Sequence, residues 1–100
     1  MFSTDVTRDG DTTVLALAGE LDIATVAELR ELAYAELDRA DCRALVLDLA
    51  ELTFLDSTGI GCWVQVRTHA ASADKQVVIR SVPVGVRRVL EISGLLPLFS

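Results

Sequence analysis

The stretch Ala44–Leu49 is apolar at every position except Asp48. A short run of this kind suits a β-strand that is covered on both faces and lies near the centre of a sheet. Such a strand needs neighbouring strands and covering helices, which the rest of the chain must supply. The sequence therefore predicts a sheet built around residues 44–49.

The chain opens with two short runs rich in valine, threonine and leucine, Phe2–Thr7 and Thr13–Ala18. Between them, Arg8-Asp9-Gly10-Asp11 has the composition of a tight turn. These residues predict a hairpin. Gln76–Val82 reads as a further strand, and the last residues, Leu95–Ser100, as the start of one more.

Three segments repeat apolar side chains at helical spacing: Ile23–Ala40, Ser57–Ala71, and a third that begins at Pro83 and stops at Gly94. Thr25 and Glu28 have the spacing of a capping box at the start of the first helix. The fold class predicted from this order is α/β, a mixed sheet of four to five strands packed with three helices.

Composition restricts the function. A length of 100 residues suits one domain over residues 1–100, and the 51% hydrophobic fraction is that of a chain that folds. No stretch approaches the roughly 20 uncharged apolar residues that span a membrane. We therefore expect a cytoplasmic protein without membrane insertion. The net charge is −6 and the cations are scattered, which argues against a nucleic-acid partner. Cys42 and Cys62 form no CxxC pair, so we expect buried, reduced thiols; a redox role stays open.

Two loops, Gly19–Asp22 and Asp56–Gly61, each join a strand to a helix. If the two strands are parallel neighbours, both loops emerge at the carboxyl edge of the sheet, where α/β proteins place their sites. They would then form one surface although they are distant in sequence.

The motif Asp56-Ser57-Thr58 has two interpretations, one structural and one functional. An oxygen-bearing side chain at a helix start caps free N–H groups and stabilises the helix by about 1 kcal/mol. Alternatively, a phosphate on Ser57 would face those N–H groups and the positive end of the helix dipole. Gly59 and Gly61 each cost about 1 kcal/mol in a helix relative to alanine, and close approach of the backbone to the sheet or to a partner would account for them.

Catalysis is the competing class of function, with Ser57 as the best nucleophile. The single histidine, His69, lies twelve residues further on, about three helical turns away, and cannot act as its base within one subunit. We expect His69 to be a solvated residue at a helix end, and we expect no enzyme activity, cofactor or metal site. Trp63 and Phe54 stand in apolar runs and are predicted to be core residues.

The segments Gly19–Asp22 and Leu47–Gly61, with their spacing, closely resemble the STAS domain of bacterial anti-sigma factor antagonists. A third segment, Val84–Leu95, looks like the penultimate helix of that family. The resemblance covers essentially the whole chain and implies the STAS fold.

The resemblance implies that Ser57, rather than Thr58, is a phosphoacceptor, and that the protein regulates transcription. The unphosphorylated form would bind an anti-sigma serine kinase and release a sigma factor; the kinase would use ATP to phosphorylate Ser57, and a metal-dependent Ser/Thr phosphatase would reverse this. The residues implied at the partner surface are Asp22, Asp56, Ser57, Thr58, Gly59 and Ile60.

The sequence departs from the family pattern at Phe99-Ser100, where the family continues through a last strand into a final helix. The C-terminal helix is therefore expected to be absent, and its absence would uncover apolar surface that favours a homodimer or strand exchange. The same fold also occurs in subunits of transport and stress-signalling complexes that have no kinase cycle. In that alternative Ser57 would serve only as a cap and contact residue.

Overall fold

The computed structural model describes residues 1–99, and these residues form a four-stranded sheet with three α-helices and a short 3₁₀ turn. The elements are β1 (Phe2–Asp9), β2 (Thr12–Leu21), α1 (Val26–Leu37), β3 (Ala44–Leu55), α2 (Ser57–Ser72), β4 (Gln76–Arg80), α3 (Val84–Ser93) and the turn Leu96–Phe99.

The strands lie in the order β1-β2-β3-β4. β1 and β2 form the predicted antiparallel hairpin, while β2, β3 and β4 run parallel. The mixed α/β sheet is confirmed, with β3 in the interior of the sheet as its apolar sequence predicted.

The prediction that β3 is covered on both faces is wrong. Leu45, Leu47 and Leu49 are buried in one cluster with residues of all three helices, whereas Val46 and Asp48, which point to the other face, are partly exposed. Apolar side chains on the second face can remain half exposed when they are small, so a continuous apolar run does not require a second layer.

The first helix is shorter than predicted, and its capping box does not form. Residues 22–25 make a turn in which the N–H groups of Thr25 and Val26 both donate to Asp22 O, at 3.0 Å each. The Thr25 hydroxyl is engaged in that turn, where it donates to Glu20 O and accepts from Asp22 N, each at 3.0 Å. The hydroxyl therefore accepts no hydrogen bond from the first N–H groups of α1. The helix begins at Val26 and ends at Leu37.

The strand predicted within Leu95–Ser100 is also wrong for the residues described. Leu96–Phe99 is a 3₁₀ turn, and Ser100 lies outside the described part of the chain. Pro97 lacks the N–H that a strand ladder requires. The turn directs Phe99 into the core, edge-on to Trp63 with ring centroids 6.1 Å apart, while α3 ends at Gly94 as predicted, with φ 75°.

Candidate functional site at the carboxyl edge of the sheet

The two loops singled out in the sequence meet at one edge of the sheet. Leu21, the last residue of β2, is paired with Leu55, the last residue of β3, in a parallel register. Asp22 and Asp56 follow these two residues directly, so both carboxylates stand at the carboxyl ends of adjacent strands. The predicted juxtaposition of the loops is confirmed.

Asp56 is the N-cap of α2. Its Oδ1 accepts hydrogen bonds from the backbone N–H groups of Thr58 at 3.0 Å and Gly59 at 3.1 Å, and also from the Thr58 hydroxyl. The hydroxyl of Thr58, followed by the Gly59 N–H, lowers the pKa of the Asp56 carboxyl below its ordinary value. The cap is therefore an ionised carboxylate at neutral pH.

This geometry corrects the expected position of a phosphate. The sequence alone led us to expect a phosphate on Ser57 to face the free N–H groups at the start of this helix. Two of these groups, those of Thr58 and Gly59, already donate hydrogen bonds to the Asp56 carboxylate. An anion on Ser57 would still lie at the positive end of the α2 dipole, but it would lie beside the Asp56 carboxylate rather than in its place.

Ser57 and Thr58 differ in their availability. Both residues are exposed, but the Thr58 hydroxyl donates to Asp56, whereas no hydrogen bond joins Ser57 Oγ to another group in residues 1–99. Ser57 is the first residue of α2, directly after the cap. Its hydroxyl is the one that a second protein can reach without breaking a bond within the chain.

Gly59 and Gly61 have different surroundings. Gly59 is buried, and a Cβ added there would lie 2.5 Å from Leu55 Cδ1 and 3.2 Å from Leu21 Cγ. Gly61 is exposed, and an added Cβ would meet nothing within 4 Å. Packing of α2 on the sheet accounts for Gly59 but gives no reason for Gly61.

Phe54 was predicted to be a core residue and is not: it is 46% exposed. The β2–β3 register shifts twice near this end of the sheet, so that Leu52 and Leu55, three residues apart, both point inward. Irregularities of this kind rotate the intervening side chains away from strict alternation. Phe54 is thereby turned outward.

Two large apolar side chains near these segments are exposed: Ile23, which directly follows Asp22, and Val84, the first residue of α3, with 78% and 77% of their area exposed. Phe54 lines a shallow groove with Pro83 and Gly85 at the start of α3, so this helix also borders the edge. Sequence reasoning missed all these contributions except Ile60, which is partly buried. The outward position of Phe54 could have been predicted only from the two register shifts between β2 and β3, and these depend on pairing with a strand that is distant in sequence.

His69 is not simply a solvated helix-end residue. Its ring stacks on Tyr34 with centroids 4.0 Å apart, and its Nε2 lies 2.7 Å from Asp38 Oδ1. His69 therefore joins α2 to α1, near the end of α2 that is remote from Ser57. Trp63 is fully buried, as predicted.

The two cysteines are free and buried, as expected. Burial raises the pKa of the Cys62 thiol, so the neutral thiol is favoured. Among residues 1–99, no helix has both the length and the apolar character needed to cross a membrane.

Comparison with known proteins places the chain in a family. The family model described as "Mlab, STAS domain" matches residues 4–98. The anti-sigma-B factor antagonist of Staphylococcus aureus is 33% identical over 79 residues, which is 79% of this chain and 72% of that protein.

Two solved structures share the fold. An anti-sigma factor antagonist from Mycobacterium paratuberculosis superposes with a TM-score of 0.82 at 28% identity, covering 99% of this chain and 83% of that one. The anti-sigma factor antagonist SpoIIAA in its unphosphorylated form superposes with a TM-score of 0.85 at 22% identity, covering 98% and 86%.

The class defined by the fold and by these matches is the STAS domain. Within it, the chain belongs to the family of the anti-sigma factor antagonists. The edge described above is the part of the fold that presents Ser57.

Proposed function

We propose that this protein is an anti-sigma factor antagonist switched by phosphorylation of Ser57. Its unphosphorylated form binds an anti-sigma factor that is also a serine kinase, and so releases a sigma factor. The kinase transfers the γ-phosphoryl group of ATP to Ser57 Oγ while the hydroxyl proton passes to a base of the kinase. A metal-dependent Ser/Thr phosphatase hydrolyses the P–Oγ bond with water, which releases inorganic phosphate and restores the free hydroxyl.

The observation that carries this proposal is the exposed Ser57 hydroxyl, which makes no hydrogen bond within residues 1–99 and lies beside a capped helix start. The Thr58 hydroxyl is held by Asp56, which supports Ser57 as the acceptor. A kinase can therefore engage Ser57 without unwinding α2.

The apolar surface around Ser57 suits a protein partner. Ile23, Phe54 and Val84 offer exposed apolar area, and Ile60 lies one turn along α2 from Ser57. Large apolar side chains grouped near a polar centre are typical of binding surfaces. Phe54 and Ile60 lie three residues before and three residues after Ser57 in the sequence.

Phosphorylation would act on binding rather than on folding. A phosphate adds a charge of about −1.5 to −2 at neutral pH, beside the carboxylates of Asp56 and Asp22. Asp56 keeps the α2 cap in either state, so the added charge is felt mainly by a partner docked at this edge. We expect like-charge repulsion and steric bulk to weaken that complex.

The test is a binding and labelling experiment on the full chain with Ser57→Ala and Ser57→Glu. The anti-sigma kinase is first captured from the native cells and identified by mass spectrometry. Ser57→Ala should bind this kinase but incorporate no phosphate from ATP, whereas Ser57→Glu should lose at least a tenfold factor in affinity, equivalent to about 1.4 kcal/mol.

Ser72→Glu is the matched control, because Ser72 is an exposed serine at the other end of α2. It should bind and be phosphorylated like the wild type. Phosphate on Ser57→Ala, or equal affinity of wild type and Ser57→Glu, would overturn the switch. Capture of transporter subunits by both baits would favour the transport-complex alternative.

A further inference from the structure

All three helices pack on one face of the sheet, and we call the opposite face the outer face. The side chains of β2 and β3 that point to the helices are buried, whereas those that point to the outer face are mostly only partly buried. A further strand beside β1 or β4 would lie in the plane of the sheet, about 4.8 Å to the side, and would leave the outer face as it is. The properties of this face therefore do not depend on which strands lie at the two edges.

The outer face is ordered in rows that cross all four strands, because paired residues on neighbouring strands point to the same side. The central row consists of Thr7, Val14, Val46 and Val78. The rows on either side of it are Asp5, Ala16, Asp48, Arg80 and Asp9, Thr12, Ala44, Gln76. The middle of the face is therefore flat and largely apolar.

The polar groups of these rows are divided between the two outer strands. Asp5 and Asp9 on β1 are exposed, and no ion pair joins either of them to another residue within 1–99. On β4, Arg80 lies in the row of Asp5, and Gln76 lies in the row of Asp9. Arg80 binds one oxygen of Asp48, with Nε at 3.2 Å and Nη2 at 3.1 Å, and 54% of its side chain is exposed. One side of the face thus offers carboxylates and the other offers N–H donors.

This arrangement is complementary to itself under one rotation. Two copies can pack outer face to outer face, about 10 Å apart, around a two-fold axis that runs parallel to the strands between β2 and β3. The rotation puts β1 of each copy over β4 of the other and keeps every row at its own level. Asp5 then faces Arg80 of the second copy, Asp9 faces Gln76 of the second copy, and each contact occurs twice. The apolar central rows of the two copies meet in the middle.

Charge disfavours the other ways of covering this face. A two-fold axis perpendicular to the strands would put β1 over β1, so that Asp5 and Asp9 would face carboxylates of the second copy and be repelled. A cationic partner would suit β1 but would be repelled by Arg80 on β4, and an acidic partner would meet the reverse conflict. A second copy in the parallel arrangement satisfies both strands at once.

We propose that the outer face is the contact surface of a homodimer, in which two sheets pack face to face with β1 over β4. Four strands are about 19 Å wide and six residues are about 20 Å long, so the two copies together cover roughly 800 Å². Stable interfaces bury about 1,200–2,000 Å². The dimer is therefore weak and dissociates when the protein is diluted.

The outer face is separate from the surface proposed around Ser57. Ser57 is the first residue of α2, and α2 packs on the opposite side of the sheet. The homodimer therefore does not depend on the phosphorylation switch, and a failure of either proposal leaves the other standing.

The test is sedimentation velocity of the full chain with two charge-reversed variants, Asp5→Arg and Arg80→Asp. Wild type should change from monomer towards dimer as its concentration approaches about 1 mM. Each variant alone should dimerise about fivefold more weakly, because it places like charges over one another at both contacts. An equimolar mixture of the two variants should recover wild-type association, since each contact then joins a cation to a carboxylate again.

Glu31→Arg and Arg88→Asp form the matched control pair, with the same changes of charge at exposed positions on α1 and α3. Each should dimerise much as wild type does, and mixing them should bring no gain. Recovery that is confined to the first mixture cannot come from partial unfolding or from net charge. It requires β1 of one copy to lie over β4 of the other.

Three results would overturn the proposal. One is a wild-type chain that stays monomeric at every concentration up to about 1 mM. Another is a mixture of Asp5→Arg and Arg80→Asp that associates no more strongly than either variant alone. The third is an equal gain on mixing the control pair, which would show a general effect of charge.

Discussion

At the scale of single residues, neighbouring positions in the site have different surroundings. Gly59 and Gly61 belong to the same turn of α2 and look equivalent in sequence, yet only Gly59 packs on Leu55 and Leu21. Alanine at either position would gain about 1 kcal/mol of helix propensity. At Gly59 this gain is opposed by the displacement of the Leu55 side chain.

We predict that Gly61→Ala raises the free energy of unfolding by about 1 kcal/mol. Gly59→Ala should be less stable than Gly61→Ala by about 1–3 kcal/mol, the usual effect of overpacking. Urea denaturation of the two variants and the wild type measures both differences. Equal stabilities of the two variants would contradict the packing of α2 described here.

Gly61→Ala also tests whether Gly61 belongs to the surface that binds the partner. Packing within the chain gives no reason for a glycine at position 61. Close approach of the proposed kinase to the α2 backbone at this position would give one. The more stable variant should then bind the kinase more weakly than the wild type, in a pull-down at matched protein concentration. Unchanged binding would leave Gly61 outside that interface.

How far the sequence predicts single residues depends on the range of the interactions involved. The meeting of Asp22 and Asp56 at one edge of the sheet could be predicted, because it follows from the local order of strands and helices and from strand polarity. The outward position of Phe54 depends on irregular pairing between β2 and β3. The stacking of His69 on Tyr34 needs two helices in contact, which no local pattern contains.

Between elements, a charged contact fixes the hairpin to α1. Arg8 on β1 donates to Glu36 on α1 through Nε at 2.9 Å and Nη2 at 2.7 Å. Glu36 is buried, and the Thr13 hydroxyl on β2 lies 3.4 Å from it. The Arg8 hydrogen bonds are the main cause that lowers the pKa of the Glu36 carboxyl below its ordinary 4.5.

This lowered pKa predicts a dependence of stability on pH. Above 4.5 the carboxylate is ionised in both the folded and the unfolded chain, and its contribution to stability is fully present. That contribution is lost as the pH falls through the lower, folded-state pKa. Chemical denaturation between about pH 6 and pH 2 should therefore show a larger loss for wild type than for Glu36→Gln.

Glu31→Gln is the control for this measurement, since Glu31 is exposed on the same helix. It should follow the wild-type pH curve. At neutral pH, Glu36→Gln should be the less stable of the two variants, because it leaves Arg8 without its charged partner. Parallel curves for wild type and Glu36→Gln would show that this contact does not couple folding to pH.

Strands and helices themselves were largely predictable, because apolar periodicity is a local property. Their ends were not: α1 loses its first predicted turn to the bonds that Asp22 O accepts from Thr25 and Val26. At the other end, Lys75 reaches back to the carbonyls of Leu37 and Arg39 after the last turn of α1. Contacts across 36 and 38 residues cannot be read from a short window.

For the whole molecule, the last described turn is part of the main core rather than an appendage. Phe99 and Trp63 are both fully buried and pack edge to face. The sheet and all three helices contribute to the same cluster. Integrity of the domain therefore depends on the turn Leu96–Phe99 as well as on the sheet and the helices.

We predict that Phe99→Ala lowers the free energy of unfolding by about 3–5 kcal/mol, the usual cost of removing a buried phenylalanine. Leu98→Ala, at a neighbouring position that is 36% exposed, should cost much less. Emission from Trp63, the only tryptophan, reports unfolding in both variants. Similar losses for the two would contradict the placement of this turn.

The Asp56 cap has a consequence for protein turnover. Because the carboxylate, and not the phosphate, holds the start of α2, both proposed forms of Ser57 should unfold at the same rate and be degraded at the same rate. Their ratio in the cell would then record only the opposed activities of kinase and phosphatase. The total amount of the protein would stay constant while the phosphorylated fraction follows the activity of the kinase and the phosphatase.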